Sequence, residues 1–252
     1  MNYTENFKKI MKKNIYKLFR KYPYIFNPIW ENLIFPLQKK RYYSEGFEGN
    51  SDEVFKNIYE NSSWGSEESS SGPGSELEYT FLLRKQLPLL LEKYKIYSFL
   101  DAPCGDCNWI SKTPFKTPIK YIGGDIVDNL ISEVSANIKF DSQFVTSEFK
   151  TIDIVKDQLP HADMWLCRDV LFHLPTKDVL KVIENFKKSS IEYLLTTNFY
   201  FQSKNLDIKP GGFRFLNLHL KPYNLPKPLA KIRDFVAPFP PRYLCLYHKS
   251  QF

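Results

Sequence analysis

Phe99-Leu100-Asp101-Ala102-Pro103-Cys104-Gly105-Asp106, followed by Tyr121-Ile122-Gly123-Gly124-Asp125, decides how this chain folds. Each stretch is a short apolar run that ends on an acid. The first continues through a tight turn into Trp109-Ile110. An open α/β sheet binds its ligands just outside the carboxyl ends of its strands. Strand, acid, turn, strand, acid is therefore the order expected of a sheet that holds a ligand at its rim.

The same alternation extends outward. Residues 98–101, 121–125, part of 144–153, 164–168 and 193–197 read as strands. Helical periodicity fills residues 76–94, 129–134 and 176–189, with Pro88 a place for a kink in the first. The central strands are largely apolar, as strands covered on both faces must be. The pattern implies an α/β fold with a doubly wound, Rossmann-like, mostly parallel sheet. Residues 213–218 and 242–247 are expected as two further strands in an antiparallel edge pair.

Hydrophobic residues make up 43% of the 252 and aromatics 16%, enough to fill a core. No apolar run reaches the ~18 to 20 residues that span a bilayer, and no signal-peptide pattern opens the chain. A cytoplasmic protein is expected. The net charge of +7 is uneven, because residues 1–45 hold ten Lys/Arg against three Asp/Glu and the rest holds 25 of each sign. A basic nucleic-acid surface on the main domain is thereby disfavoured.

Residues 1–60 read as a basic, helical N-terminal arm and residues 61–252 as the main domain. Phe7, Ile10, Met11, Ile15, Leu18 and Phe19 recur at helical spacing, with Lys8, Lys9, Lys12, Lys13, Lys17, Arg20 and Lys21 around them. Such a helix lies on an anionic membrane face or packs on its own domain or a partner. Pro23, Pro28 and Pro36 then divide the segment that follows into short pieces. Residues 61–75 have a linker's composition, yet Trp64 and Gly72-Pro73-Gly74 suit a loop that folds over a ligand. Cys104 and Cys107 lack the second pair of ligands that a zinc site needs, so no metal is expected. They read as small residues in a turn. His161, His219 and His248 show no metal-ligand spacing and read as surface or structural groups.

A dinucleotide site wants G-x-G-x-x-G for a pyrophosphate. This turn has one glycine and acids at 101 and 106, which would repel phosphate. A cationic, phosphate-free nucleoside fits instead, and S-adenosylmethionine is such a molecule. Asp125, 20 residues past Gly105, is placed for ribose hydroxyls and Asp153 for the adenine amine, unless Asp153 caps a helix.

These residues resemble the class I S-adenosylmethionine-dependent methyltransferases. The resemblance rests on residues 99–106 and 121–126, on Asp153-Ile154 with Leu159-Pro160, and on Asp163-Met-Trp-Leu-Cys-Arg-Asp-Val-Leu-Phe-His-Leu174. It covers roughly residues 60–252 and is similar to a bacterial group encoded among surface-polysaccharide genes, some tied to O-methyl phosphoramidate or sugar methylation. That group carries a Trp-Gly-Ser…Ser-Gly-Pro-Gly-Ser segment, as at residues 64–75. The resemblance implies a seven-stranded sheet and a cofactor site drawn from Trp64, Ser71, Gly72, Gly74, Asp101, Ala102, Pro103, Cys104, Gly105, Asp106, Trp109, Asp125, Ile126, Asp153, Ile154 and Arg168. Pro103 and Cys107 depart from the commonest glycine-rich loop, so the turn is expected to follow its own path.

Methyl transfer needs an aligned acceptor, and a hydroxyl acceptor gains from a base. His173 is the candidate base, with Asp169, one helical turn earlier, to orient it or to take the proton. The alternative for His173 is a cap on the helix that Pro175 and Thr176 introduce. An anionic acceptor would need cations instead, for which Arg168 and Arg214 are candidates; Arg168 could equally hold a cofactor or structural carboxylate. Asn198 and Asn217 could add amide contacts. The expected activity is O-methylation of a small molecule, a phosphate, phosphoramidate or sugar precursor of capsular polysaccharide. A non-catalytic, membrane-docked assembly protein on the same fold is the alternative.

Overall fold

The computed structural model describes residues 18, 19, 21–37 and 43–252. Among these, seven strands form one sheet: β1 (Ser98–Asp101), β2 (Ile119–Asp125), β3 (Val145–Thr151), β4 (Met164–Cys167), β5 (Tyr193–Asn198), β6 (Ala230–Arg233) and β7 (Tyr243–His248). Their order is β3-β2-β1-β4-β5-β7-β6. Strands β1 to β5 run parallel, and β7 runs antiparallel between β5 and β6. The chain winds outward from β1 to β3, then returns to place β4 on the other side of β1. This puts the topological switch point at the carboxyl end of β1, between β2 and β4.

The expected strands lie within a residue or two of those observed, except at the edge. Residues 213–218 form no strand. Phe213 makes one isolated bridge with Ser44, and the following backbone bonds scatter. Arg214 N donates to Phe172 O, Phe199 N to Leu216 O, and Leu218 N to the Asn198 side chain. Partners on three different segments cannot make a ladder. The edge pair is instead β6 with β7. Strand β6 is Ala-Lys-Ile-Arg with one buried residue, too short and too polar to announce itself.

Helices cover both faces of the sheet. Helix α3 (Phe81–Tyr94) buries Leu83, Leu87, Leu90 and Leu91, while α4 (Asp128–Asn137) buries Leu130, Ile131 and Val134. These pack with Phe99, Met164 and Leu166. On the opposite face α5 (Thr176–Lys188) buries Val179, Val182, Ile183 and Phe186, which pack with Leu100, Trp165 and Cys167. Neighbouring strand residues thus feed separate cores, each large side chain contributing about 1.5–3 kcal/mol. The helix expected from residue 76 begins only at Phe81 and retains Pro88 inside it. Residues 76–80 form a turn that carries Tyr79 inward, its hydroxyl donating to Asp234 O.

The prolines do not divide the N-terminal segment as expected: residues 23–37 are one continuous helical stretch that changes type, from α1 (Pro23–Ile29), which holds Pro28 inside it, to a π-helical turn (Trp30–Ile34) and a 3-10 turn (Phe35–Leu37). It is locked to the sheet domain. Asn27 Nδ2 donates to Phe235 O and its Oδ1 accepts from Ala237 N, while Trp30 Nε1 donates to Phe239 O. Trp30 and Phe35 are fully buried. Nearly all of the basic amphipathic helix read over residues 7–21 lies outside the described residues. Helix α2 (Ser51–Glu60) closes the segment read as an arm and packs over the sheet rim.

Candidate active site

A cavity of ≈ 270 Å³ opens at the carboxyl ends of β1, β2 and β4, where the topology puts the switch point. It falls just below the usual range of about 300–1,000 Å³ for small-molecule sites. Asp101 and Asp125, the last residues of β1 and β2, both line it.

The two acids are buried and have no ion-pair partner among the described residues. Asp101 accepts one side-chain hydrogen bond, from Tyr121 Oη at 2.9 Å. Burial pushes its carboxyl up to about 7, against the pull of Tyr121 and Arg168. Asp125 accepts from Gly105 N at 3.1 Å and Val127 N at 3.2 Å. Burial raises it to about 6, although those backbone donors favour its charged form. A carboxylate can accept about four hydrogen bonds, so each retains capacity toward the cavity. Two desolvated acids on adjacent strands form a site that gains energy from a cation or from hydroxyl donors.

The loop of residues 61–75 closes one side. Asp106 does not reach the cavity; it fastens this loop. Its Oδ2 accepts from Ser69 Oγ and Ser70 N, each at 2.8 Å, and its Oδ1 from Ser71 Oγ at 3.1 Å. Ser71 Oγ in turn accepts from Asp106 N. Gly105 lies beneath at φ +57°, and a Cβ there would stand 2.1 Å from Ser71 Oγ. Gly72, at φ +89°, lies under Trp64, where a Cβ would come within 2.9 Å of the Trp64 Cβ. Trp64, Ser71, Gly72 and Gly74 all line the cavity. From α2, Ser51, Phe55 and Tyr59 line it as well. They recur every fourth residue on one helix face, a signal that could have been read from the sequence.

Ala102 is also displaced from its expected place. It is fully buried and its carbonyl accepts from Trp165 Nε1 at 2.9 Å. Pro103, Cys104, Gly105, Trp109, Ile126 and Ile154 do line the cavity. Asp153 lines it too, but its carboxylate is shared by Val155 N and Lys156 Nζ, each at 2.9 Å. That is a turn, not the helix cap weighed from the sequence.

Part of the cavity wall belongs to an ion network of Arg168, Asp169, Asp234 and Arg242, of which sequence reading missed Asp234 and Arg242. Arg168 Nε and Nη2 donate to the two oxygens of Asp234 at 2.9 and 3.1 Å, and Nη2 also donates to Gly74 O at 2.7 Å. Arg242 Nη2 donates to Asp169 and its Nε to Asp234 at 3.4 Å. Burial opposes charge on Asp234, but Arg168 and Arg242 hold its carboxyl below the ordinary value. Arg168 is raised above its ordinary value because Asp169 and Asp234 outweigh desolvation. The carboxylate on Arg168 is therefore a structural one.

His173 faces the cavity beside Trp64, their ring centroids 4.6 Å apart. Asp169 does not orient it. The intervening residues form a bend and a 3-10 turn (Leu171–His173) rather than an α-helical turn, and Asp169 points at Arg242 and Thr197. Nor does His173 cap α5, whose Thr176 N donates to Asp207. Instead His173 Nδ1 lies 2.6 Å from Gly212 O. A carbonyl only accepts, so the proton is on Nδ1 and Nε2 carries the lone pair. Burial pushes the imidazole down to about 4, with Arg242 and Arg214 adding to the effect against the Gly212 bond. At neutral pH the ring is uncharged.

Three further expected contacts are absent from the cavity lining. Arg214 is buried behind it, donating to Asp207 Oδ1 at 3.3 Å and Tyr223 Oη at 3.1 Å. Asn198 Oδ1 accepts from Leu218 N at 2.6 Å. Asn217 ties together a loop through Gln202 O and His219 N. All three hold the segments around residues 198–223 together instead of turning toward the cavity.

No protein-family model matches the chain, and no curated protein matches it. Solved structures do. The magnesium protoporphyrin IX methyltransferase of Synechocystis PCC 6803 with bound SAH is 11% identical over 79% of this chain and 99% of that one, at a TM-score of 0.53. The same enzyme with bound SAM is 13% identical over 79% and 97%, at 0.51. PH0226 from Pyrococcus horikoshii OT3 is 15% identical over 70% and 93%, at 0.46. At such identities the first two establish the fold: a mixed, mostly parallel seven-stranded sheet of the class I methyltransferase type.

Proposed function

We propose that the chain transfers a methyl group from S-adenosylmethionine to a hydroxyl oxygen of a small acceptor. The observation that carries this reading is one cavity in which two buried, under-bonded carboxylates at adjacent strand tips face a neutral histidine. Asp101 and Asp125 suit the cofactor's cationic end and ribose diol; Asp153, Ile126 and Ile154 form the wall for its base. Trp64, Ser71, Gly72 and Gly74 cover it. When bound, the cofactor supplies an electrophilic methyl on a sulfonium.

His173 accepts the acceptor's hydroxyl proton at Nε2 as the oxygen attacks, and the Nδ1–H bond to Gly212 O holds the ring in place. Burial disfavours the charged ring, so His173 would pass the proton on readily once the oxygen has been methylated. The acceptor contacts available are mostly apolar and aromatic: Phe55, Trp64, Phe172, Leu174 and Phe213. Among the described residues the arginines that line the cavity are Arg168 and Arg242, each paired with a carboxylate. This favours a sugar-type hydroxyl over a phosphate or phosphoramidate oxygen, since an anion would find no unpaired cation. A role in capsular polysaccharide biosynthesis is the pathway assignment we infer from the sequence resemblance.

Calorimetric titration with S-adenosylmethionine tests the reading. Asp125→Ala should weaken binding by roughly tenfold to a hundredfold, the worth of ~1.5–3 kcal/mol of hydrogen bonds to a charged group, with the thermal midpoint little changed. Failure of the wild type to bind would remove the enzyme reading, and an unaltered affinity in Asp125→Ala would remove the ribose assignment.

Affinity should also depend on pH. Both acids have raised values in the free protein, Asp101 about 7 and Asp125 about 6, and a cation favours their charged forms. Binding therefore expels protons below those values. The dissociation constant should fall by about tenfold to a hundredfold between roughly pH 5.5 and 7.5, then level off. A flat profile would show that neither acid faces the cation.

A further inference from the structure

The outer face of the N-terminal segment carries a row of large apolar side chains in water. Leu18, Tyr22, Ile25, Ile29, Leu33 and Leu37 follow one another at intervals of three or four residues, and all are exposed. Ile25, Leu33 and Leu37 are 60%, 67% and 87% exposed, and Tyr24 flanks the row at 65%. The opposite face is the locked one: Asn27, Trp30 and Phe35 are buried on the sheet domain. The row is thus carried on a segment tied to the sheet domain and has no partner among the described residues. A contiguous apolar patch of this kind marks an interaction surface.

Charge identifies the partner. Lys17, Arg20 and Lys21 precede the segment in sequence, and Lys39, Lys40 and Arg41 follow it. Between residues 18 and 44 the one carboxylate is Glu31. It is turned inward, where it accepts from Tyr243 Oη at 2.7 and 2.9 Å and pairs with Arg233 at 3.4 Å. Within that stretch no outward-facing acid opposes the approach of an anionic surface. Tyr22 and Tyr24 add the amphipathic rings that favour a bilayer's headgroup level. No helix among the described residues is long and apolar enough to cross a membrane, so the segment would lie in the interface plane.

We propose that this face docks the protein on an anionic lipid bilayer, with the apolar row at the headgroup boundary and the basic character of the flanking sequence supplying the preference for anionic lipid. The docking is independent of the cofactor reading.

Co-sedimentation of the full chain with vesicles tests it. The wild type should pellet with phosphatidylcholine–phosphatidylglycerol vesicles, pellet poorly with phosphatidylcholine alone, and be released by salt. The double variant Ile25→Asp, Leu33→Asp leaves residues 1–17 and every cation in place. It should lose at least about tenfold in partition, with the thermal midpoint and cofactor titration of the wild type retained. Equal pelleting of the variant would show that another segment binds lipid and would overturn the proposal. So would a wild type that ignores anionic vesicles at low salt. A wild type that sediments as a dimer while the variant is monomeric, with no vesicle binding by either, would assign the row to a second copy instead.

Discussion

His173→Gln should lower the methyl-transfer rate by roughly 10²- to 10⁴-fold while the affinity for S-adenosylmethionine stays within about twofold of wild type. Rate and affinity separate because His173 belongs to the acceptor side of the cavity, against Trp64 and Phe213. The carboxylates expected to hold the cofactor are on β1 and β2. The tautomer matters as much as the ring. Gly212 O claims the Nδ1 proton, which leaves Nε2 as the acceptor. With its value near 4, the ring is neutral throughout the working range, so turnover at saturating cofactor should stay level from about pH 8 down to about pH 5. S-adenosylhomocysteine released per enzyme, with a pool of neutral sugar precursors as acceptor, is the measurement. A wild-type rate in His173→Gln would remove the base from the mechanism and return the anionic acceptor to consideration.

Asp234→Ala should cost about 3–5 kcal/mol of folding stability, a fall in thermal midpoint of roughly 10 °C for a chain of this size. Asp234 is buried and receives hydrogen bonds from both Arg168 and Arg242. Removing it leaves two buried guanidinium groups to share one remaining carboxylate, Asp169. The damage should spread to the cavity, since Arg168 Nη2 also holds Gly74 O on the covering loop. Asp234→Asn keeps the volume and should lose less stability, while still loosening that loop. Melting curves of the two variants settle the matter: a midpoint within a degree or two of wild type for Asp234→Ala would mean the network is not what holds the rim together.

The fold was legible because its evidence is local. An apolar run ending on Asp101, another ending on Asp125, and helices whose leucines recur every third or fourth residue can each be read from a few neighbours. The short β6 could not be read, since four residues with one buried side chain carry almost no periodicity. Residues 213–218 misled for the opposite reason. Their alternation of Phe, Arg, Phe, Leu, Asn and Leu has the look of a strand, yet their backbone groups are satisfied by Phe172, Phe199 and Asn198 instead of by a neighbouring strand.

The candidate site divides along the same line. From its order alone the sequence determined that Asp101 and Asp125 end adjacent strands and that Trp64, Gly72 and Gly74 lie in a loop able to meet them. Only the tertiary structure decided what each charged group faces. Asp106 turned to the serines of the loop, Arg168 to Asp234, Asp169 to Arg242, and His173 to Gly212. These partners are separated by 36, 66, 73 and 39 residues. Backbone periodicity reports on residues a turn or a strand apart, whereas a buried charge must take whichever counter-charge the packing brings within reach. Its partner is therefore a property of the assembled sheet and loops, and no local pattern could have named it.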